Sequence, residues 1–85
     1  MEVAYSAKAL DDIRYWKKSG NKKIQERITA LVEDIKVDPF KGIGKPEPLK
    51  YELTGKWSRR IARENRIIYM PKDNYLYVYS LKGHY

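Results

Sequence analysis

The chain has 85 residues, no cysteine and a formal net charge of +7. That length allows one domain with one small core, and the lack of thiols excludes disulfides, thiolate metal sites and a cysteine nucleophile. The first twenty residues lack the apolar stretch of a secretory signal, and no apolar run approaches the roughly 18 residues that span a bilayer. The expectation is a soluble protein without a membrane partner, compatible with a cytoplasmic location.

Val3-Ala4-Tyr5 reads as an edge strand. Ser6 offers an N-cap oxygen to a helix from Ala7 to about Lys18. Ala9, Ile13 and Trp16 share one face of it, with Leu10 alongside, while Asp11, Asp12, Arg14 and Lys18 can face water. Ser19-Gly20-Asn21 forms a turn, with Gly20 free to take positive φ and Asn21 capping a second helix. There Ile24, Ile28, Leu31 and Ile35 make an amphipathic stripe, with Val32 beside it, whose reading is core packing. Asp38-Pro39 should end that helix, because proline disfavours the α conformation in the residue before it.

Residues 40–48 hold two Gly and two Pro and are expected to be irregular. Strand-like runs follow at Lys50 to Leu53, Trp57 to Ala62, Arg66 to Met70 and Tyr75 to Lys82. Their connections are short enough for antiparallel hairpins. Two helices followed by such a meander predict an α+β domain over residues 1–85, with the helices on one sheet face and the other face free to bind.

Between Lys41 and Arg66 there are eight Lys or Arg against three Glu, a field that attracts polyanions. Two Trp and eight Tyr add rings that can stack on unpaired bases, although more than half are expected in the core. His84, the single histidine, is either a loose tail or an imidazole held at the end of the last strand. With an ordinary pKa of about 6.5 it is the natural proton carrier near neutrality. Glu47 lies between Pro46 and Pro48, which restrict the backbone and aim the carboxylate. It is either a plain loop glutamate or a general base, since a carboxylate in a basic site would repel phosphate and so serve a binder poorly. Arg59 and Arg60 cannot point the same way along a strand. One can bind phosphate through its planar fork while the other serves a different surface, and Arg63 reads as solvated charge.

One histidine, no cysteine and no close Asp cluster argue against zinc or two-metal chemistry. Gly42-Ile43-Gly44-Lys45 lacks P-loop spacing. Cofactor-free acid–base cleavage of RNA, whose 2′-hydroxyl supplies the nucleophile, is the hydrolytic option that remains.

Several segments together resemble the YoeB/Txe toxins of the RelE superfamily. These are Asp38-Pro39-Phe40 through Lys45-Pro46-Glu47-Pro48-Leu49-Lys50, Gly55-Lys56-Trp57-Ser58-Arg59-Arg60-Ile61, Glu64-Asn65-Arg66-Ile67-Ile68-Tyr69, and the ending Gly83-His84-Tyr85. Tyr15-Trp16 also sits where that family has a similar pair. The resemblance covers essentially the whole chain. It implies a RelE-like, microbial-ribonuclease-like fold and cleavage of messenger RNA in the ribosomal A site. It also implies an antitoxin partner, a homodimer, and DNA binding only indirectly through the antitoxin complex. By position, Glu47 matches the family's general base, Arg66 its phosphate-stabilising arginine and His84 its general acid. Tyr85 matches the terminal tyrosine, and Lys50 and Arg60 match basic residues near the substrate. Two departures are Asn65, where some relatives carry histidine, and the tyrosine-rich strand Tyr75 to Tyr79. The rival readings are a non-catalytic RNA-binding module and a DNA-binding repressor subunit.

Overall fold

The structure, a computed structural model, describes residues 1–83. Strand β1 (Glu2–Tyr5) leads into helices α1 (Ala7–Ser19) and α2 (Lys22–Val37). After them come β2 (Glu47–Pro48), a 3-10 turn (Tyr51–Leu53), β3 (Trp57–Ala62), β4 (Asn65–Lys72) and β5 (Tyr75–Ser80). Both helix starts follow from their caps: Ser6 Oγ accepts from the Ala9 N–H, and Asn21 Oδ1 from that of Ile24. Between the helices Gly20 takes φ 71, the left-handed conformation that ends α1.

The five strands form one sheet in the order β1-β5-β4-β3-β2. The pairings β2–β3, β3–β4 and β4–β5 are antiparallel, as the short connections predict. β1 pairs with β5 in parallel, because these strands come from opposite ends of the chain and no tight turn constrains them. Leu31, Val32 and Ile35 of α2 and Ala9 of α1 close over Ile61, Ile67, Tyr69, Leu76, Val78 and Leu81 to make the core. This is the helix-on-sheet arrangement expected from the stripe on α2.

Four local expectations give way. Lys50 to Leu53 is not a strand: Tyr51 sits at φ 58, and the Leu53 and Thr54 N–H groups bond back to the Lys50 and Tyr51 carbonyls. Glu47 and Pro48, expected to be irregular, pair with Ser58 and Trp57; a residue before proline is biased to extended backbone, which suits this pairing. Asp12, placed towards water, is buried at 7% exposure, whereas Leu10 beside the apolar face is 42% exposed. Among the described aromatic residues only Trp16 and Tyr69 are buried, so the rings lie on the surface more than expected.

Candidate active site

Ile67 and Tyr69 face the helices, so alternation turns Arg66, Ile68 and Met70 to the opposite sheet face. Cross-strand partners share a face, which brings Ser58 and Glu47 onto this side through the pairings Ile68–Ser58 and Ser58–Glu47; Ile68 and Ser58 are themselves buried there, and Glu47 at the sheet edge is exposed. Arg66 Nη1 donates to Ser58 Oγ at 3.2 Å, and Arg66 Nη2 stands 3.8 Å from Glu47 Oε1. The second distance is an ion pair too long for a hydrogen bond. Neither group is therefore committed to the other, and each can turn to a substrate. Glu47 keeps 59% side-chain exposure and Arg66 22%. Arg60 is aligned with Arg66 across the β3–β4 ladder and is exposed. Lys50 is exposed just before the 3-10 turn. Among the described residues no hydrogen bond or ion pair joins it to Glu47 or Arg66.

Of the two neighbouring arginines, Arg59 is the one turned inward. Its side chain is fully buried, and all five of its N–H donors are used. Nε donates to Tyr69 Oη (3.1 Å). Nη1 donates to Asp34 Oδ2 (2.6 Å) and to the Ile43 carbonyl (3.2 Å). Nη2 donates to the carbonyls of Asp38 (2.6 Å) and Lys41 (3.0 Å). Tyr69 Oη in turn donates to the Pro39 carbonyl at 2.6 Å. The segment from Asp38 to Ile43 is thus wound around one guanidinium. Farther along, the Gly44 carbonyl accepts from the Arg60 N–H at 2.7 Å, and three residues later the chain pairs with β3 at Glu47. The backbone N–H of Ile43, followed by Arg59, holds the Asp34 carboxyl below its ordinary pKa of 3.8. Burial raises the Tyr69 phenol above 10.0, against an opposing pull from Arg59. The inward turn of Arg59 has a sequence signal: its neighbours two residues away are Trp57 and Ile61, both large and apolar.

The C-terminal segment is held from two sides. Asp12 Oδ2 accepts from the Leu81 N–H (2.9 Å) and from Lys8 Nζ (2.8 Å). Lys8 Nζ also donates to Ser80 Oγ and to the Lys82 carbonyl. Trp16 Nε1 donates to the Leu81 carbonyl at 2.9 Å. On the sheet side, Asn65 Oδ1 accepts from the Gly83 N–H, and the Arg66 N–H donates to the Gly83 carbonyl, both at 2.9 Å. His84 and Tyr85, singled out in the sequence, lie outside the described residues. Lys8 and Asp12 carry no functional pattern in the sequence, and Asn65 enters there only as a departure from the resembled family.

Among the described residues no group of three His, Cys, Asp or Glu is placed to hold a metal ion. An open groove lined by Tyr5, Ile13, Trp16, Gln25 and Ile28 lies on the helical side, away from Glu47 and Arg66.

Residues 5–85 match the model of the family described as YoeB-like toxins of bacterial type II toxin–antitoxin systems. Toxin YoeB of Streptomyces coelicolor is 42% identical over the full length of both chains. Two solved structures from Staphylococcus aureus are also similar. A YoeB dimer has 38% identity and a TM-score of 0.92, and a YoeB–YefM complex has 40% identity and a TM-score of 0.90. Each match spans all of this chain and 98% of the other. With the family model and a full-length relative in agreement, the chain belongs to the YoeB-like toxins of bacterial type II toxin–antitoxin systems.

Proposed function

We propose that this toxin is a cofactor-free endoribonuclease that cuts messenger RNA in the ribosomal A site and so stops translation. The observation that carries the reading is the uncommitted Glu47–Arg66 pair on the sheet face away from the helices, beside a C-terminal segment whose Gly83 is hydrogen-bonded to the Arg66 backbone. Glu47 removes the proton of a ribose 2′-hydroxyl, whose oxygen attacks the adjacent phosphorus. Arg66, with Arg60 and Lys50 near the path of the strand, stabilises the charge that develops on the phosphoryl oxygens. His84, one peptide bond beyond Gly83, donates its proton to the departing 5′-oxygen. The products are a 2′,3′-cyclic phosphate and a 5′-hydroxyl, and DNA is not cut because it lacks the attacking group. Tyr85 stacks on a base or orients the scissile phosphate.

The partners in this reading are the ribosome with its messenger, a cognate antitoxin and a second copy of the chain. Contact with DNA occurs only through the antitoxin complex. The S. aureus dimer and YoeB–YefM complex support the two protein partners by likeness. The site of action is the cytoplasm, where ribosomes are; no helix among the described residues is long and apolar enough to cross a membrane.

The test is primer-extension mapping of a messenger on programmed ribosomes, comparing the wild type with Glu47→Ala and His84→Ala. Cuts in the A-site codon by the wild type, lost or strongly slowed in both variants, are expected. A wild type that binds ribosomes and cuts nothing would overturn the reading in favour of a non-catalytic RNA-binding module.

A further inference from the structure

A hydroxyl buried in a sheet is costly unless something bonds to it, and strands favour β-branched and aromatic residues over small polar ones. Ser58 nevertheless stands inside β3 with 2% exposure. Its neighbours Trp57 and Arg59 turn to the helices, so its own side chain points to the other sheet face. Among the described residues the partner of the hydroxyl is Arg66, whose Nη1 donates to Oγ at 3.2 Å. An apolar side chain would fill the same space without the cost of burying an oxygen. That leaves the arginine as the reason for a hydroxyl here.

Ser58 is also the register partner of Glu47 on one side and of Ile68 on the other. Arg66 is thus engaged by β3 through Nη1, while its Nη2 stops 3.8 Å from Glu47 Oε1. That is about an ångström beyond a charge-assisted hydrogen bond. A hydrogen bond from a charged donor and a half-exposed ion pair are of similar strength, so one hydroxyl can decide which of the two Arg66 makes. Without the oxygen, the forked donors are free to close on the carboxylate in the bidentate pair that arginine favours. A closed pair would serve neither partner. The carboxylate would hold its charge more firmly and be a weaker base, and the donors that phosphate needs would be occupied.

We infer that Ser58 is a positioning residue: its hydroxyl draws Arg66 back from Glu47 and keeps the pair open for substrate. The inference rests on the proposed function, in which Glu47 is the base and Arg66 meets the phosphoryl oxygens. The other charged groups around the pair do not account for the separation. Lys56, just before β3, and Arg60 each lie two residues from Ser58 and on its side of the sheet. Lys56 Nζ stands over the Tyr79 ring at 4.1 Å from its centroid. The segment that carries Glu47 adds Lys45 and Lys50. All four are cationic throughout the acid range, and among the described residues none is bonded to the Glu47 or Arg66 side chain. Their pull on the carboxylate is therefore the same with or without the hydroxyl, and Arg66 is the charge whose place depends on Ser58.

The test compares the full-chain wild type with Ser58→Ala, and Ser58→Thr with Ser58→Val. The second pair has one shape and differs in the hydroxyl, so crowding at the buried position is common to both. Thermal midpoints establish that each variant is folded. Two quantities are then read: the pH dependence of single-turnover cleavage on programmed ribosomes, and the titration of the Glu47 carboxyl carbon by NMR in the free protein. Ser58→Ala is expected to cut about 10-fold more slowly at saturation, the loss that one hydrogen bond to a charged group carries. Its acid limb and its Glu47 titration should both move to lower pH by about half a unit or more, as Arg66 closes on the carboxylate. Ser58→Thr should bring both readings back towards the wild type, and Ser58→Val should behave as Ser58→Ala. A slower rate with neither limb nor titration shifted would make Ser58 a packing residue and overturn the inference. Equal behaviour of Ser58→Thr and Ser58→Val would overturn it too. If the wild type cuts nothing, the proposed function falls, while the Glu47 titration still decides whether Ser58 holds the pair open.

Discussion

Asp34 Oδ2 lies 2.6 Å from Arg59 Nη1, an ion pair between α2 and β3 in which the arginine side chain has no exposed surface. The loop leading to Glu47 is folded over that pair, so its shape depends on a residue that cannot touch substrate. Removing Arg59 would leave Asp34 uncompensated and the carbonyls of Asp38, Lys41 and Ile43 without their donor. Breaking a fully buried pair from one side costs about 3–5 kcal/mol, and because Asp34 keeps 33% side-chain exposure and can be solvated, that figure is the upper bound here. Arg59→Ala is therefore expected to lower unfolding stability in urea by up to about that amount. Arg59→Lys, with three donors in place of five, should recover only part of it. A variant as stable as the wild type would show that the loop holds itself.

The same pair sets an acid dependence. The Asp34 carboxyl titrates below 3.8 in the folded protein because the Ile43 N–H and Arg59 favour its charged form. The unfolded chain then binds the proton first as pH falls, so the stabilisation is complete above about pH 4 and is lost as pH drops through the folded value. Urea midpoints measured from pH 5 down to pH 3 should fall for the wild type and fall less steeply for Asp34→Asn. Parallel curves would assign the acid sensitivity to other carboxylates.

Gly42 is where the loop passes closest to that pair. A Cβ built there overlaps the Asp34 carboxylate and stands 2.9 Å from Arg59 Nη1, and the backbone is at φ +134, a conformation side chains rarely adopt. Gly42→Ala should cost roughly 1–3 kcal/mol from backbone strain and crowding together. It should also slow RNA cleavage if the aim of Glu47 depends on the loop. Thermal unfolding and single-turnover rates measured on the same preparation separate the two effects.

Much of this architecture was legible beforehand, for reasons that are local. The caps Ser6 and Asn21, the stripe on α2 and the β3 run from Trp57 to Ala62 each announce themselves within a few residues. What escaped depends on distant partners. The pairing of Glu47 with Ser58 and the parallel match of β1 with β5 join segments that no short-range pattern relates. Alternation separated Arg59 from Arg60 but did not say which turned inward. That needed the apolar flanks Trp57 and Ile61 to be weighed as a face. Asp12 lies three residues from Ala9 and four from Trp16, on the inward face of α1, and its charge alone suggests water because the backbone N–H it accepts from belongs to a segment 69 residues away.

The acid–base assignment predicts a rate that falls on both sides of an optimum. At low pH the base Glu47 becomes protonated, and at high pH the acid His84 loses its proton. His84→Gln should slow single-turnover cleavage by roughly 10²–10⁴-fold and remove the alkaline limb. Arg66→Lys should cost roughly 10²–10³-fold through weaker charge stabilisation, with both limbs retained. An alkaline limb that survives in His84→Gln would assign that proton to another group.

Asp12 tests whether the C-terminal clamp serves catalysis. Asp12→Ala removes the acceptor of the Leu81 N–H, on a residue with no exposed surface, and the partner of Lys8. An unsatisfied buried N–H costs about 1–3 kcal/mol, so the segment ending at Gly83 should loosen from α1 and cleavage should slow. Asp12→Asn retains an oxygen for Leu81 and should restore much of the rate, which distinguishes anchoring from charge. The sharper measurement is the double variant. If Asp12 acts by holding the chain that leads to His84, Asp12→Ala should slow the wild type but have little further effect on His84→Ala, because one group cannot be mispositioned after it has been removed. Multiplicative losses would instead mean that Asp12 supports the fold as a whole, and that Trp16, Asn65 and Arg66 suffice to hold the segment ending at Gly83.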